Sequence, residues 1–187
     1  MPTIRTFVAL SLPREISMAM ASIQEELIAS HAEVKWDTSD KFHITLKFLG
    51  DTDSSLVLRI ADELQHSIGS LPAFEIAYEK LGGFPNVERP RVVWIGAREN
   101  PQIKQLQTQV ELVCTSFGFP KEDRPFHAHI TLGRVKGSRN LDRLTASLKS
   151  ITFEPLLARC THVHIIRSDL KPTGSVYSLL NSIPLAS

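Results

Sequence analysis

The chain has 187 residues, which is enough for one domain or two small lobes and too few for a second large module. Hydrophobic residues make up 42% of it and charged residues 22%, a balance that excludes a mainly disordered protein. Lys and Arg number 21 against 20 Asp and Glu, so the net charge of +1 excludes nucleic-acid binding through a bulk basic field. Any phosphate must therefore be bound by locally placed groups.

The cysteine content and the N-terminus bear on where the protein works. Cys114 and Cys160 are far apart, with no C-x-x-C and no histidine at zinc spacing, so we expect neither a disulfide framework nor a zinc site. The N-terminal apolar run is interrupted by Pro13, and no stretch reaches the roughly 18 apolar residues of a membrane span. The sequence predicts a cytoplasmic protein without a membrane partner, and we expect a monomer.

The first part of the chain alternates strand and helix patterns. A short apolar run from Thr6 to Leu12 predicts a buried strand, and apolar residues at every third or fourth position predict a helix over 14–30. A second strand is predicted from Phe42 to Leu49, with its end at Gly50. Asp53 then offers an N-cap oxygen for the next helix.

A hairpin and a second strand–helix series follow. Strands are predicted at Phe74–Tyr78 and Arg91–Ile95, on either side of a turn over 81–86. Asn100-Pro101 predicts the start of a helix, and Gly118 its end. The last predicted elements are a strand at Phe126–Leu132, a helix at Asn140–Lys149, and strands at Thr161–Ile166 and Val176–Leu180. This mixture predicts an α+β fold with helices packed on mainly antiparallel sheets.

One tetrapeptide occurs twice, as His43-Ile44-Thr45-Leu46 and as His129-Ile130-Thr131-Leu132. Both copies lie in predicted strands, near a phenylalanine and a glycine. A single H-x-T is a weak signal, because strand threonines are common and a lone strand histidine is usually structural. Two identical copies in matching contexts indicate an internal repeat with a function.

Alternation along a strand predicts how each copy is oriented. Residues two apart share a face, so His43 and Thr45 are expected together, as are His129 and Thr131. The opposite face, expected in the core, carries Phe42, Ile44, Leu46 and Phe48. Two such strands meeting across a pseudo-twofold axis would form a pocket with two imidazoles and two hydroxyls.

That pocket suits a phosphodiester. Imidazole has an ordinary pKa of about 6.5, so one copy can take a proton while the other gives one. The threonine hydroxyls can donate to phosphoryl oxygens where negative charge builds up. The pattern therefore predicts acid–base catalysis that requires no metal and no other cofactor.

These features resemble the two-histidine phosphoesterase superfamily, whose members carry two H-x-T-x motifs, and in particular the bacterial RNA 2′,3′-cyclic phosphodiesterases formerly described as 2′-5′ RNA ligases. The resemblance runs through segments 5–10, 41–50, 91–96 and 124–134, and more faintly to Tyr177. It implies one bilobal domain over 1–187, with two mainly antiparallel sheets and outer helices around a central cleft. It also implies metal-independent hydrolysis of RNA 2′,3′-cyclic phosphate ends to 2′-phosphomonoesters.

The resemblance assigns roles to the motif residues. His129 is expected as the base and His43 as the acid, while the two motif threonines and Arg134 bind the phosphoryl oxygens. A guanidinium is always charged and fork-shaped, which matches phosphate oxygens. Strict alternation places Arg134 on the wrong face of its strand, and a bulge at Gly133 could turn it into the pocket. The same groups would catalyse weak 2′-5′ ligation in the reverse direction.

Flanking residues carry weaker expectations. Phe48 matches a family position that resembles a base-stacking platform, although its parity predicts the core. Lys47 is expected at the pocket edge or, more simply, as an exposed strand-end lysine. Family members usually have proline before the second catalytic histidine, where this chain has Ala128, which predicts a looser start of the strand. His127 is expected as a solvated residue on the catalytic face rather than as a substrate contact.

Two other interpretations remain open. A non-catalytic RNA-end or nucleotide-binding module on the same fold would keep the cleft but lack one proton-transfer partner. A metal-dependent enzyme would use the histidine-rich strands, yet His162 and His164 share a face without a third ligand nearby. Because both motif histidines are present, we favour the cyclic phosphodiesterase, with an RNA or oligonucleotide end as its partner.

Overall fold

The computed structural model describes residues 2–187. The described residues form strands β1 Thr3–Ser11, β2 Val34–Trp36, β3 His43–Asp53, β4 Phe74–Phe84, β5 Val92–Ala97, β6 His129–Val135, β7 Leu156–Cys160, β8 His162–Lys171 and β9 Gly174–Pro184. The α-helices are α1 Arg14–Ile28, α2 Ser54–Ile68, α3 Pro101–Ser116 and α4 Leu141–Ser150. A single 3-10 turn at Ser39–Lys41 precedes β3.

The predicted helix boundaries are confirmed by their capping geometry. Asp53 Oδ1 accepts a hydrogen bond from the backbone N–H of Ser55 at 2.9 Å, as expected for an N-cap at α2. Asn100 Oδ1 accepts one from Gln102 at 2.8 Å at the start of α3. Gly118 has a φ of +90°, the left-handed conformation that commonly ends a helix.

Most strand boundaries differ from the sequence prediction, and β1, β8 and β9 are each shifted or longer than predicted. β3 continues to Asp53 instead of stopping at Gly50, which stays within the strand at a φ of +67°. β4 runs through 81–83 to Phe84, so the turn after it is shorter than predicted. β6 begins at His129 rather than at Phe126. The sequence also failed to predict β2 and β7, which are too short to show a period.

The strands form one antiparallel arrangement in the order β7-β4-β5-β6-β3-β1-β8-β9, with β2 paired to β6. It consists of two halves, β7-β4-β5-β6 and β3-β1-β8-β9, whose adjacent strands β6 and β3 pair at Ile44 and Ile130. The two antiparallel sheets that were predicted are thus continuous through the pairing of β3 with β6, and the α+β class is confirmed. The assignment of 1–187 to one bilobal domain stays a prediction.

The helices cover one face of the sheet and leave the other open. α1 and α4 contact the half that contains β4 and β7, whereas α2 and α3 pack against β3 or β9. The core between helices and sheet includes fully buried residues of all four helices: Met20, Leu27, Ile60, Leu64, Leu106, Val110 and Leu144. The opposite, concave face carries a small separate cluster of Phe7, Ala9 and Ile166, packed by Tyr177. This open face holds the candidate site.

Candidate active site

The two repeated tetrapeptides meet where the halves of the sheet join. Ile44 and Ile130 are paired in antiparallel strands and are fully buried beneath the concave face. In an antiparallel pair, the residue before one partner faces the residue after the other. His43 therefore faces Thr131, and His129 faces Thr45. The four predicted side chains, all half-buried, surround a pseudo-twofold axis through the isoleucine pair.

Both histidines are oriented by the same backbone contact. His43 Nδ1 lies 2.6 Å from the carbonyl oxygen of Lys41, and His129 Nδ1 lies 2.7 Å from the carbonyl oxygen of His127. A carbonyl only accepts hydrogen bonds, so each Nδ1 donates its proton. The neutral ring then carries a lone pair on Nε2, which is the nitrogen left for chemistry.

The two Nε2 atoms differ in their partners. His43 Nε2 lies 3.0 Å from Thr45 Oγ1, whose hydroxyl donates to the lone pair. Within residues 2–187, Nδ1 is the ring nitrogen of His129 that makes a protein hydrogen bond, and its Nε2 has none. The lone pair of His129 is thus the one available to remove a proton from a ligand or from water.

Burial lowers the pKa of both imidazoles. For His43, desolvation dominates, the hydrogen bond to Lys41 opposes it, and the charge of His129 lowers the pKa further. For His129, desolvation again dominates, the hydrogen bond to His127 opposes it, and the nearby charges of His127 and Arg134 add to the lowering. At neutral pH both rings therefore favour the neutral form, and protonation of one disfavours protonation of the other.

A β-bulge follows the first motif and changes which residues reach the cleft. In the pairing with β1, Thr45 is opposite Ala9 and Lys47 is opposite Val8, so Leu46 is the extra residue. Leu46 and Lys47 both face inward, and Phe48 returns to the concave face with 61% of its surface exposed. The prediction that the parity of Phe48 places it in the core was wrong, because alternation breaks at the bulge.

The second motif is followed by a bulge at the same position. In the pairing with β5, Thr131 is opposite Trp94 and Gly133 is opposite Val93, which leaves Leu132 as the extra residue. Leu132 and Gly133 are buried and Arg134 is exposed, close enough to His129 to lower its pKa. The bulge that was anticipated at Gly133 is present, and it turns Arg134 toward the cleft.

Lys47 does not lie at the edge of the site. Its side chain is 5% exposed, and its Nζ donates to Glu111 Oε1 at 2.6 Å and to the carbonyl oxygen of Pro120 at 2.5 Å. The backbone N–H of Glu122 donates to the same Glu111 oxygen at 3.0 Å. The expectation of a pocket-edge or exposed lysine was wrong, since the bulge turns this side chain inward, where it links β3 to α3 and to the segment leading to His129.

Aromatic rings surround His43. Its ring centroid lies 4.8 Å from that of Phe7 and 5.5 Å from that of Tyr177, which is edge-on. Phe7 also lies 5.9 Å from Phe48. Phe7 therefore links the imidazole of His43 to the exposed ring that the bulge places on the concave face.

His129 has a different set of aromatic neighbours. Its ring lies 4.9 Å from Phe84, edge-on, and 6.3 Å from Trp94. The indole lies over β4 at Gly82, where any Cβ would overlap the ring. Gly82 thus leaves the space that allows Trp94 to support the second histidine.

One charged residue at the site was missed by sequence reasoning. Asp37 directly follows β2, a strand that was not predicted. Burial raises the pKa of its carboxyl group, and the charges of Arg134, Lys41 and Lys35 oppose that change. Asp37 therefore lies within a cluster of cations on the concave face. Asp37 and Asp40 both lie between Lys35 and Lys41, and nothing in this segment of the sequence singled out Asp37.

The second pair of histidines forms no metal site with a third ligand. His162 and His164 have ring centroids 6.2 Å apart, and His164 Nδ1 lies 3.2 Å from Ser11 Oγ. Across residues 2–187, no group of three or more His, Cys, Asp or Glu side chains is arranged to hold a metal ion. In the same residues, every helix is too short or too polar to cross a membrane.

Curated relatives match nearly the full length of the chain. It is 33% identical over 177 residues to the RNA 2′,3′-cyclic phosphodiesterase of Methanothermobacter thermautotrophicus, covering 94% of this chain and 95% of the relative. It is 30% identical over 176 residues to the protein of the same name from Thermotoga maritima, with coverage of 94% and 92%.

Solved structures show the same fold. The Thermus thermophilus protein TT0787 superposes with a TM-score of 0.75 at 27% identity, covering 97% of this chain and 98% of that protein. E. coli LigT, solved as a complex with 3′-AMP, also gives a TM-score of 0.75, at 24% identity and 99% coverage of both chains. The family described as the 2′-5′ RNA ligase superfamily matches residues 12–172. The chain belongs to this superfamily, which confirms the resemblance read from its two H-x-T-x motifs.

Proposed function

We propose that the chain hydrolyses RNA 2′,3′-cyclic phosphate ends to 2′-phosphomonoesters, with His43 and His129 as an acid–base pair and without a metal ion. The observation that carries this proposal is the antiparallel pair Ile44 and Ile130, which sets the two imidazoles on one face. Each imidazole donates from Nδ1 to a carbonyl and keeps Nε2 for chemistry.

The enzyme class rests on the relatives. Proteins named RNA 2′,3′-cyclic phosphodiesterase match 90% or more of this chain at 30% identity or above. They confirm the predicted class, a phosphodiesterase. The substrate end, the catalytic steps and the residue roles are our proposal for this chain.

The chemistry is a direct attack of water on the phosphorus. His129 Nε2 takes a proton from water while the water oxygen bonds to phosphorus, and the bond from phosphorus to O3′ breaks. Protonated His43 gives its Nε2 proton to O3′, which leaves as a hydroxyl. His129 is the base in this scheme because its Nε2 has no protein partner within residues 2–187. Afterwards His129 loses its proton to solvent and His43 regains one.

The proposed electrostatic partners are the motif threonines and Arg134. When His43 is protonated, Thr45 Oγ1, 3.0 Å from its Nε2, can accept from the ring and donate its own proton to a phosphoryl oxygen. Thr131 is proposed to have the same role beside His129, on the other side of the pair Ile44 and Ile130. Arg134 adds a fixed positive charge beside His129, where the phosphoryl charge builds up.

Phe48 is proposed as the platform for the terminal base. It is 61% exposed on the concave face and packs beside Phe7, with ring centroids 5.9 Å apart, so its ring is accessible to a stacked base. Base–aromatic stacking contributes about 1–3 kcal/mol and tolerates every base. We therefore expect little preference for the identity of the terminal nucleotide.

The test is hydrolysis of an oligoribonucleotide ending in a 2′,3′-cyclic phosphate, with EDTA present. We expect complete conversion to the 2′-phosphomonoester at a rate that EDTA does not change. A protein that leaves the substrate intact, or whose activity is lost in EDTA and restored by a divalent ion, would contradict the proposal. Formation of the 3′-phosphomonoester would reverse the assigned leaving oxygen.

Weak ligation is the same ring opening with an RNA hydroxyl in place of water. A 2′,3′-cyclic phosphate attacked by the 5′-hydroxyl of a second RNA uses the same base and acid and releases no water. Because water greatly outnumbers any RNA hydroxyl, we expect joined product as a small fraction of the hydrolysed product. High concentrations of a 5′-hydroxyl oligonucleotide should raise that fraction.

A further inference from the structure

A cavity of about 480 Å³ opens on the concave face beside His43. It is named here the Arg14 cleft, after one of its lining residues. It borders His43 but neither His129 nor Thr131, so it extends away from the second motif. Its volume lies in the range of roughly 300–1,000 Å³ that is typical of sites for small molecules. A phosphoryl group between the two histidines would leave it unfilled.

The floor of the Arg14 cleft is apolar and partly aromatic. It includes Ile166, Tyr177 and Leu179, and Leu179 has 58% of its surface exposed. Tyr177 is held in place by Phe7, with ring centroids 5.1 Å apart. Such a floor offers a flat contact for a nucleobase or a ribose.

The rim of the Arg14 cleft is positively charged. Arg14 and Lys41 both line it, against the single carboxylate of Asp40. Among residues 2–187, the ion pairs of the structure involve Lys47, Arg98, Lys149 and Arg167, so neither rim cation is held by a carboxylate. Two unpaired cations beside an apolar floor match the chemistry of a nucleotide phosphate.

The covalent structure of the substrate sets the direction of the RNA chain. A 2′,3′-cyclic phosphate occupies the 3′ end, so the strand can continue only from O5′. In the ribose ring, C1′ carries the base and C4′ carries the 5′ carbon, on opposite sides of the fused phosphate ring. If the base extends to one side of His43, the 5′ chain must therefore extend to the other side.

The fold places suitable partners on those two sides. Along β1, Phe7 is opposite Phe48, and Ser11, which lines the Arg14 cleft, is opposite His43. The end of the cleft that carries Ser11 and Arg14 thus lies on the far side of His43 from Phe48, whereas the floor residues Ile166 and Leu179 lie across β1 at the level of Phe7. A terminal base stacked on Phe48 directs the 5′ chain toward the Arg14 end of the cleft, from which the next nucleoside can turn onto the floor across β1.

We propose that the Arg14 cleft binds the phosphodiester and the nucleotide on the 5′ side of the cyclic-phosphate nucleoside, so that the enzyme reads two nucleotides of the RNA end. This inference rests on the proposed function and deepens it. Arg14 contacts the bridging phosphate, and the floor receives the second nucleoside. The preferred substrate is an oligonucleotide rather than a free cyclic mononucleotide.

The experiment compares two substrates on three proteins. The substrates are adenosine 2′,3′-cyclic phosphate, which has no 5′-phosphate, and the adenosine dinucleotide that ends in the same group. The proteins are the wild type, Arg14→Ala, and the control Arg143→Ala, which removes an exposed arginine from α4. One charge-assisted contact gives about a tenfold preference, so wild-type kcat/KM should be at least that much higher for the dinucleotide.

Arg14→Ala should lose most of that preference through a higher KM for the dinucleotide, with kcat unchanged. The mononucleotide does not extend as far as Arg14, so the turnover of the mononucleotide by Arg14→Ala should stay within twofold of wild type. Arg143→Ala should behave as wild type on both substrates. Equal kcat/KM for the two substrates, or a preference that Arg14→Ala retains, would overturn the inference and leave the proposed function intact. Failure of the wild type to hydrolyse either substrate would overturn both.

Discussion

The two half-sites share one backbone design and differ in what surrounds it. The first half-site consists of Phe7, His43, Thr45, Phe48 and Tyr177. The second consists of Phe84, Trp94, His129, Thr131 and Arg134. In both, Nδ1 of the histidine donates to the carbonyl oxygen two residues earlier. In both, a bulge at the last residue of the tetrapeptide returns the fifth residue after the histidine to the cleft.

The difference lies in the residue at that fifth position. The first bulge presents an aromatic ring, Phe48, and its half-site opens into the Arg14 cleft. The second bulge presents a guanidinium, Arg134, beside a histidine packed against Phe84 and Trp94. The repeat fixes the positions of the two imidazoles, which we propose as the proton-transfer groups, while the residues after it give one half the proposed nucleoside contacts and the other the proposed phosphate contact.

Removing either imidazole should have the largest effect. Each positioned proton transfer contributes about 10²- to 10⁴-fold in rate, so His43→Ala and His129→Ala should each lower kcat for a cyclic-phosphate oligonucleotide by that range. His66→Ala, which removes an exposed histidine from α2, is the matched control. Circular dichroism should show all three folded. Either motif variant retaining near wild-type kcat would refute its role.

Arg134→Ala tests the phosphate half alone. The loss of a fixed charge beside the developing phosphoryl charge should lower kcat/KM by about 10²- to 10³-fold, as for other preorganised donors. Arg134→Lys keeps the positive charge but loses the planar guanidinium that can donate two parallel hydrogen bonds, so it should recover only part of the activity. Phe48→Ala should instead raise KM, because it removes stacking and no charge. Equal kinetic profiles for Arg134→Ala and Phe48→Ala would contradict the division between the halves.

Gly82→Ala probes the support of the second half-site. A Cβ there would overlap the indole of Trp94, so the ring must shift, at a cost to stability of about 1–3 kcal/mol. Activity should fall together with the free energy of unfolding, because Trp94 packs beside His129. Gly118→Ala, which has open space around its Cβ but a φ of +90°, should lower stability without lowering kcat. Unchanged stability in Gly82→Ala would contradict the packing described.

The pH dependence should show the smallest effect. Burial lowers the pKa of both histidines below the ordinary value of about 6.5. Catalysis needs one protonated and one neutral ring, and that state is most populated between the two lowered pKa values. The bell-shaped profile of kcat/KM, which reports the free enzyme, should therefore peak below pH 6.5 and fall as the pH rises further. A flat or rising profile from pH 6.5 to 8 would contradict this assignment.

Protein stability should change in the opposite direction and increase as the pH rises. The unfolded chain binds protons near the ordinary histidine pKa, whereas the folded chain binds them only at lower pH. The contribution of the two neutral histidines to stability is therefore present above about pH 6.5 and is lost as the pH falls through that value. His43→Asn, which cannot titrate, should reduce this acid sensitivity in thermal unfolding.

The sequence predicted the parts of this site that depend on local pattern. The repeated tetrapeptide identified both histidines and both threonines, because strand alternation holds over the few residues from His43 to Thr45. It failed immediately afterwards for Lys47 and Phe48, since a bulge reverses the faces and leaves no mark on hydrophobic periodicity. Gly133 gave a signal for the second bulge, and Arg134 was placed on the cleft face for that reason.

Features that depend on how distant strands and helices pack together could not be predicted. Asp37 directly follows β2 and Tyr177 lies on β9, two strands that are distant from each other in the chain. Nothing in the sequence indicated which strands they pair with. The Arg14 cleft combines the end of β1, the start of α1 and the strands β8 and β9. Only the strand order determines that these segments meet, and strand order is set by long-range packing.

The central claim is that the two imidazoles act as one catalytic unit across the junction of the sheet. The most direct test is the kcat of the double variant His43→Ala/His129→Ala beside the two single variants, on a cyclic-phosphate oligonucleotide. Residues that act as a unit are strongly non-additive, so the double variant should be within a few-fold of the slower single variant. Losses that multiply, with each histidine contributing independently, would contradict the account.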